Sequence, residues 1–396
     1  MTFSGPVIRS RIRPVLSEDA SDSPPHQHWK RRGAVGWWNN RNARRAVIPE
    51  YNTRASERAT QATDFCEGIA MEHATTTNSG KSGNSGNSGN SGDSGDSCIL
   101  ISGGTGLVGR RLLGNLTGPL CVLSRQPPAT VEPSSTLRYL QWNAATTLSE
   151  ADLGPVRAVI HLAGDPVAEG RWTPEKKQRI RDSRVIGTRS LVNSLGKLPT
   201  PPEVLISASA VGYYGHRPGE LLSETALAGR GFLPEVCEEW EAEAEAARRF
   251  GIRVCRIRIG IVLDPKGGAL GKMLPIFRQG LGGPLGWGRQ HFPWIHAADL
   301  VGIIQHCLAN RSLAGAVNAV APTATTNRQF TKALSSAVHR PAWLPAPKFG
   351  LRLLFGEFGN SLFDDQRVVP QVALDSGYVF RFPAIQEALQ DLLPNG

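Results

Sequence analysis

No Cys-x-x-C pair occurs in this chain, and its six cysteines, Cys66, Cys98, Cys121, Cys237, Cys255 and Cys307, stand far apart along 396 residues. That spacing excludes a disulfide framework and a structural zinc site, and it points to a reducing compartment. No apolar run approaches the roughly 18 residues of a spanning helix, and no apolar signal core follows Met1, so neither a membrane span nor secretion is expected. Ser209 lacks a Gly-x-Ser-x-Gly elbow, which removes the hydrolase triad, and no basic run interleaves with aromatics as a nucleic-acid groove would require. His296 and Asp299 have no third ligand nearby for a metal.

What the chain has is a hydrophobic fraction of 40%, enough for a sizeable core, and a net charge of 44 − 34 = +10. Residues 1–97 carry 12 basic and 10 acidic side chains, so +8 of the charge belongs to the remaining 299 residues. The excess suits an anionic ligand or simply a basic surface. Residues 78–95 are six consecutive X-Ser-Gly triplets without an apolar side chain, and residues 1–77 show no useful periodicity. A disordered extension over 1–97 is expected. Arg9, Arg11 and Arg13 without an early acid resemble the bias of an organelle transit peptide, although Glu18, Asp19 and Asp22 dilute it. An inert tail and a start at Met71 are equally open, so a cytoplasmic protein is expected, with an organelle, mitochondrion or plastid, as the alternative if the extension is a transit peptide.

From Cys98 onward, apolar strand-like runs alternate with helical patterns: Cys98–Ser102, then Leu107–Leu116, Leu120–Ser124 and Arg157–Leu162. Thr173–Leu195 has a proline directly after a Thr N-cap, Val204–Ala208 is strand-like, Pro234–Arg249 is helical, and Ile252–Leu263 is a single β-rich run. This order predicts an α/β, doubly wound parallel sheet of the Rossmann type over 98–264. A smaller α+β substrate lobe is expected over 265–396, with the glycine-rich loop Gly280–Gly288 and a helix, strand and helix in Pro370–Leu393.

The sharpest local signal is Gly103-Gly104-Thr105-Gly106-Leu107-Val108-Gly109, directly after a strand and opening a helix. Gly103 serves a tight turn, Gly106 lets amides approach a pyrophosphate, and Gly109 lets the helix pack closely. The second strand ends in Ser124-Arg125, where an NAD site would carry an acid about 20 residues after the loop. A hydroxyl and a guanidinium suit a 2′-phosphate instead, so NADP is the expected cofactor. Leu162-Ala163-Gly164 gives small residues at the next strand end, beside a His161 expected to be a core residue, and Ser207 joins this set. Arg184 is either a cofactor or substrate ligand or a solvated charge.

With these residues in view, about 98–394 resembles an extended, atypical member of the short-chain dehydrogenase/reductase superfamily, in the NAD-dependent epimerase/dehydratase branch. It most resembles the group called epimerase family protein, 39U type, through ILISGGTGLVG, VLSR, VIHLAGDPVAEGRW, SRVIGT, SASAVGYYG, EEWEAEAEAA and the tail QRVVPQVALDSGYVFRFPAIQEAL. About 347–394 is similar to that group's C-terminal domain of unknown function. The resemblance implies NADP contacted by Ser124, Arg125, Leu162, Ala163, Arg184 and Leu263, an oxidoreductase or nucleotide-sugar epimerase activity on a small molecule, and a homodimer. The superfamily's Ser, Tyr-x-x-x-Lys set is only partly present: Ser209 fits the first role, but the expected helix reads Phe232 to Glu241 without the pair. Two readings stay open. Tyr213 or Tyr214 substitutes as proton donor beside Ser209, with Arg171, Arg184 or His296 on the substrate, or the chain is a non-catalytic NADP sensor or assembly factor.

Overall fold

The computed structural model describes residues 97–128, 136–144 and 146–394; the extension expected over 1–97 lies, but for Ser97, outside the described residues. Its centre is a seven-stranded parallel sheet in the order β10-β7-β5-β4-β1-β2-β3. The strands are β1 Cys98–Ser102, β2 Leu120–Ser124, β3 Leu137–Gln141, β4 Val156–His161, β5 Val204–Ala210, β7 Arg253–Ile259 and β10 Gly315–Ala319. Parallel strands need crossovers, and here these are α1 Leu107–Leu113, α2 Glu150–Leu153, α3 Pro174–Leu195, α4 Phe232–Glu245 and later helices. Thr173 caps α3 by accepting the amide of Lys176 at 3.3 Å, with Pro174 as its first residue, as the sequence predicted.

Every residue of β1 is buried because both faces of the sheet are covered. Ile99 and Ile101 pack with Leu112 of α1 and with Leu300 and Ile304 of a later helix. Cys98 and Leu100 pack on the opposite face with Leu191 and Leu195 of α3 and Ala244 of α4. The alternation of side chains along the strand thus feeds two cores.

The rest of the chain holds β6 Arg217–Leu222, β8 Ile261–Asp264, α5 Gly268–Arg278, β9 Trp294–His296, α6 Ala297–Ala309, α7 Asn327–Ala337, α8 Lys348–Phe355, α9 Phe358–Ser361, β11 Gln366–Val368, α10 Gln371–Asp375 and α11 Ile385–Leu392. Two expectations are corrected. The run Ile252–Leu263 is two strands in different sheets, broken at Gly260, where a Cβ would lie 2.5 Å from the carbonyl oxygen of Pro293. The boundary at 264 does not part the lobe from the sheet, because the chain returns through α6 to place β10 beside β7. The lobe's own core joins Leu263, Leu270, Phe277, Trp294, Phe330, Leu334, Ile385 and Leu389. The strand expected within 370–393 does not form; Asp299 instead accepts the amides of Arg381 at 2.8 Å and Phe382 at 3.0 Å and holds that segment to α6.

Candidate functional site

The sheet order reverses between β1 and β4, and an open α/β sheet offers its crevice at such a point, beyond the carboxyl ends of the strands. The glycine loop fills that position. Gly103 has φ +72°, and a Cβ on it would lie 2.8 Å from the carbonyl carbon of Leu162, so the turn rests directly on the chain leaving β4. At Gly109 a Cβ would meet the Gly103 oxygen at 2.3 Å, which fixes α1 against the turn itself. Gly106 is the N-cap of α1 and supplies no side-chain cap, while Thr105 lends its carbonyl to Arg110. Leu107 and Val108 follow as the half-buried first residues of the helix, with Leu107 against Gly267 and Gly268. The first-turn amides, uncapped by any side chain, form a cradle for an anionic group that a Cβ would obstruct.

Ser124 at the end of β2 is half-buried and accepts the amide of Gln126 at 3.2 Å. Arg125 next to it is exposed, and among the described residues it has no hydrogen-bond or ion-pair partner. Leu162 and Ala163 are half-buried at the strand end, and the Ala163 amide donates to Ser102 Oγ at 3.3 Å. Arg184 lies under exposed Gly164, whose Cβ would stand 3.1 Å from the guanidinium carbon. Its Nη1 donates to the carbonyls of Asp165 and Ile180, at 3.0 and 3.1 Å. Burial lowers its pKa, against the pull of Cys237 and Asp165. It is therefore a walled cation rather than a solvated one.

His161 is buried, with Nδ1 2.6 Å from Ser102 Oγ and Nε2 3.0 Å from Thr188 Oγ1; burial lowers its pKa to about 4. Of the other expected cofactor contacts, Ser207 is enclosed in β5 beside His161, its hydroxyl donating to the Ala208 carbonyl, and the Leu263 side chain is fully enclosed in the lobe core.

Two of the three hydroxyls expected to do catalysis, those of Ser209 and Tyr214, are already engaged. β5 and β7 run past the end of β4 and bring Ser209 opposite Arg258. Ser209 donates to Glu241 Oε1 at 2.7 Å, and Arg258 clamps the same carboxylate through Nε at 2.8 Å and Nη2 at 2.9 Å. Arg256 adds a third cationic contact at 3.2 Å. Burial opposes the charge on Arg258, yet Glu241 holds its pKa above the usual guanidinium value. Tyr214 is fully buried, donating to Asn318 Oδ1 at 2.7 Å and receiving Arg258 Nη1 at 3.0 Å. Burial raises its pKa, with Arg258 opposing, and its hydroxyl lies in the packed interior rather than open to the cleft. Tyr213 is half-buried with its ring 3.5 Å from the Arg258 guanidinium carbon, and its hydroxyl has no partner among the described residues.

Sequence reasoning missed Glu241, Arg258 and Cys237. Cys237 and Glu241 have the four-residue spacing of the absent Tyr-x-x-x-Lys pair, and both face the end of β5: Cys237 Sγ lies 3.9 Å from the Ala210 carbonyl. Burial, reinforced by Glu241, pushes the Cys237 thiol up to about 12. The available signal was the three arginines, Arg253, Arg256 and Arg258, set among the apolar residues of β7. His296, expected on the substrate side, caps α6: its Nδ1 accepts the Ala298 amide at 3.0 Å.

The model of the NAD dependent epimerase/dehydratase family matches residues 99–319, more than half of the chain. The chain belongs to that family. This epimerase/dehydratase family member also matches a domain of unknown function, DUF1731, over residues 346–392. It is 37% identical over 308 residues to the epimerase family protein SDR39U1 homolog, chloroplastic, of Arabidopsis thaliana, covering 74% of this chain and 86% of that protein. It is 35% identical over 299 residues to epimerase family protein YfhF of Bacillus subtilis, covering 74% and 97%. The crystal structure of human epimerase family protein SDR39U1, isoform 2, with NADPH superposes with a TM-score of 0.68 at 31% identity, covering 75% of this chain and 99% of that one. The family member is thus an extended short-chain dehydrogenase/reductase with a Rossmann-type nucleotide-binding fold. Among its described residues no helix is long and apolar enough to cross a membrane, and no group of three His, Cys, Asp or Glu could hold a metal ion.

Proposed function

We propose that this chain binds NADP(H) at the end of β1 and uses it as an oxidoreductase or epimerase on a small molecule. The carrying observation is the cradle: the uncapped first turn after Gly106, walled by Gly103 and Gly109, beside a partnerless Arg125. The bridging phosphates would rest on the amides of Thr105 to Val108, and Ser124 and Arg125 would hold the 2′-phosphate. Leu162, Ala163 and Gly164 would border the adenosine side, with Arg184 as a fixed cation below. The relative crystallised with NADPH supports this choice over NAD. When bound, NADP(H) supplies or accepts a hydride. The proton then falls to Tyr213, whose hydroxyl is uncommitted, while Ser209, Glu241 and Arg258 fix the floor beneath it.

Titration of the protein with NADPH and NADH tests the cofactor reading. NADPH should bind about tenfold or more tightly, and Arg125→Ala should remove most of that preference. Equal affinities, or a preference that survives the substitution, would overturn it.

A second reading, an NADP-binding sensor or assembly factor without turnover, is favoured by one specific observation: the hydroxyls of Ser209 and Tyr214 already donate to Glu241 and Asn318. NADPH oxidation across a panel of carbonyls and nucleotide sugars separates the two, since turnover abolished by Tyr213→Phe supports the enzyme. Binding without oxidation of any of them supports the sensor. The Arabidopsis relative's chloroplastic designation supports an organelle over the cytoplasm, which sequencing the mature N-terminus tests.

A further inference from the structure

A cavity of about 630 Å³ opens on the lobe, lined by Arg171 and Trp172 from the loop between β4 and α3, by Phe349, Arg352 and Leu353 of α8, and by Gly356, Glu357 and Asn360 around the start of α9. Its size suits a small organic ligand. Three features of its wall point to one kind of occupant.

The wall is built, not loose. Trp172 donates its indole N–H to the Val167 carbonyl at 2.8 Å and packs against Phe232 and Phe358, with ring centroids 5.1 and 5.3 Å away. Gly356 turns at φ +64°, and a Cβ there would lie 3.8 Å from Nε of Arg171, so the backbone lets that arginine lie along the rim. Lys177 pairs with Glu357 at 2.9 Å and ties α3 to the same corner.

The charge of the wall is one-sided. Glu357 is its one carboxylate, and Lys177 already neutralises it. Arg171 and Arg352 are exposed, and their guanidinium groups have no hydrogen-bond or ion-pair partner among the described residues. Two guanidiniums without counter-charge at one cavity match a dianionic oxygen group, which they can bind by charge-assisted hydrogen bonds.

The remainder of the wall is apolar and uncovered: Phe349 is 77% and Leu353 68% exposed, beside the indole of Trp172. A helix that turns such residues outward over a cavity offers a body-binding surface next to the anion-binding one. We infer that this cavity binds a phosphorylated small molecule with a flat apolar body, its phosphate between Arg171 and Arg352 and its body against Trp172, Phe349 and Leu353. The site does not depend on nucleotide binding at the glycine loop.

Phenyl phosphate is the probe, titrated calorimetrically into the full chain at saturating NADPH, with phenol and inorganic phosphate as its two halves. The expected result is saturable binding about tenfold or more tighter than either half, weakened by added salt. Arg171→Ala with Arg352→Ala should reduce the affinity about tenfold or more, and Phe349→Ala, at an exposed side chain, should weaken phenyl phosphate but not inorganic phosphate. NADPH affinity, unchanged in both variants, would report that the fold and the glycine loop are intact. Binding no tighter than phosphate alone, binding that the double substitution leaves unaltered, or binding that disappears when NADPH saturates its own site would each overturn the inference.

Discussion

Glu241 shows what a buried charge does in this molecule. It is 4% exposed and accepts from Ser209, Arg258 and Arg256, so its desolvation is met by hydrogen bonds and opposite charge. Removing one partner strands the other. Arg258→Ala should lower stability by about 3–5 kcal/mol in urea unfolding, whereas the joint change Arg258→Met with Glu241→Leu should cost less than the single one. A single substitution that costs under about 1 kcal/mol would show that the pair is open to water. His161 gives the pH counterpart. Burial and the Arg184 charge hold its pKa at about 4 in the fold, well below the 6.5 of an exposed imidazole. The unfolded chain therefore binds more protons between those values, and stability present above about pH 6.5 is lost as pH falls toward 4, by up to about 3 kcal/mol. Urea midpoints at pH 7 and pH 5 check it: the wild type should lose more between them than His161→Gln does.

At the scale of elements, the glycine loop separates packing from binding. A Cβ at Gly109 would stand 2.3 Å from a backbone oxygen, and one at Gly106 would stand 3.2 Å from the same atom, at an ordinary φ of −74°. Gly109→Ala should displace the turn, costing about 1–3 kcal/mol along with NADPH affinity. Gly106→Ala should keep the melting temperature close to wild type while NADPH affinity falls about tenfold, because the methyl enters the phosphate cradle. Thermal melts and nucleotide titrations on both variants distinguish the two effects. The same contrast explains what was legible in the sequence. The loop, β1, β2, β4 and the Thr173 cap are local signals, carried by contiguous residues. β3 was not read, since Leu137–Gln141 is a partly exposed edge strand without a continuous apolar run. Gly260 was hidden because its break depends on Pro293, far along the chain. The floor of the site was hidden for the same reason: Ser209 meets Glu241 across 32 positions, and Glu241 meets Arg258 across 17. Tyr214 looks like a loop tyrosine until Asn318, 104 residues on, takes its hydroxyl.

For the whole molecule, the path of the chain makes the lobe and the sheet interdependent. β9 leads directly into α6, which covers one face of the sheet, and β10 joins that sheet before the chain leaves again for α7 and α11. Trp294 of β9 and Leu389 of α11 share the lobe core, whereas Ile295, between Trp294 and α6, belongs to the core under the sheet. A lobe unfolding alone would have to release β9 and tear the start of α6 from its contacts. One cooperative transition is therefore expected, with tryptophan fluorescence and far-UV circular dichroism melting together. Leu389→Ala, at a fully buried position, removes side-chain volume only from the lobe core and should destabilise by about 2–5 kcal/mol. If the cores are coupled, that substitution moves both probes by the same amount even though it touches no strand of the sheet. A fluorescence transition that shifts while the circular dichroism transition stays in place would show instead that the lobe is an independent folding unit.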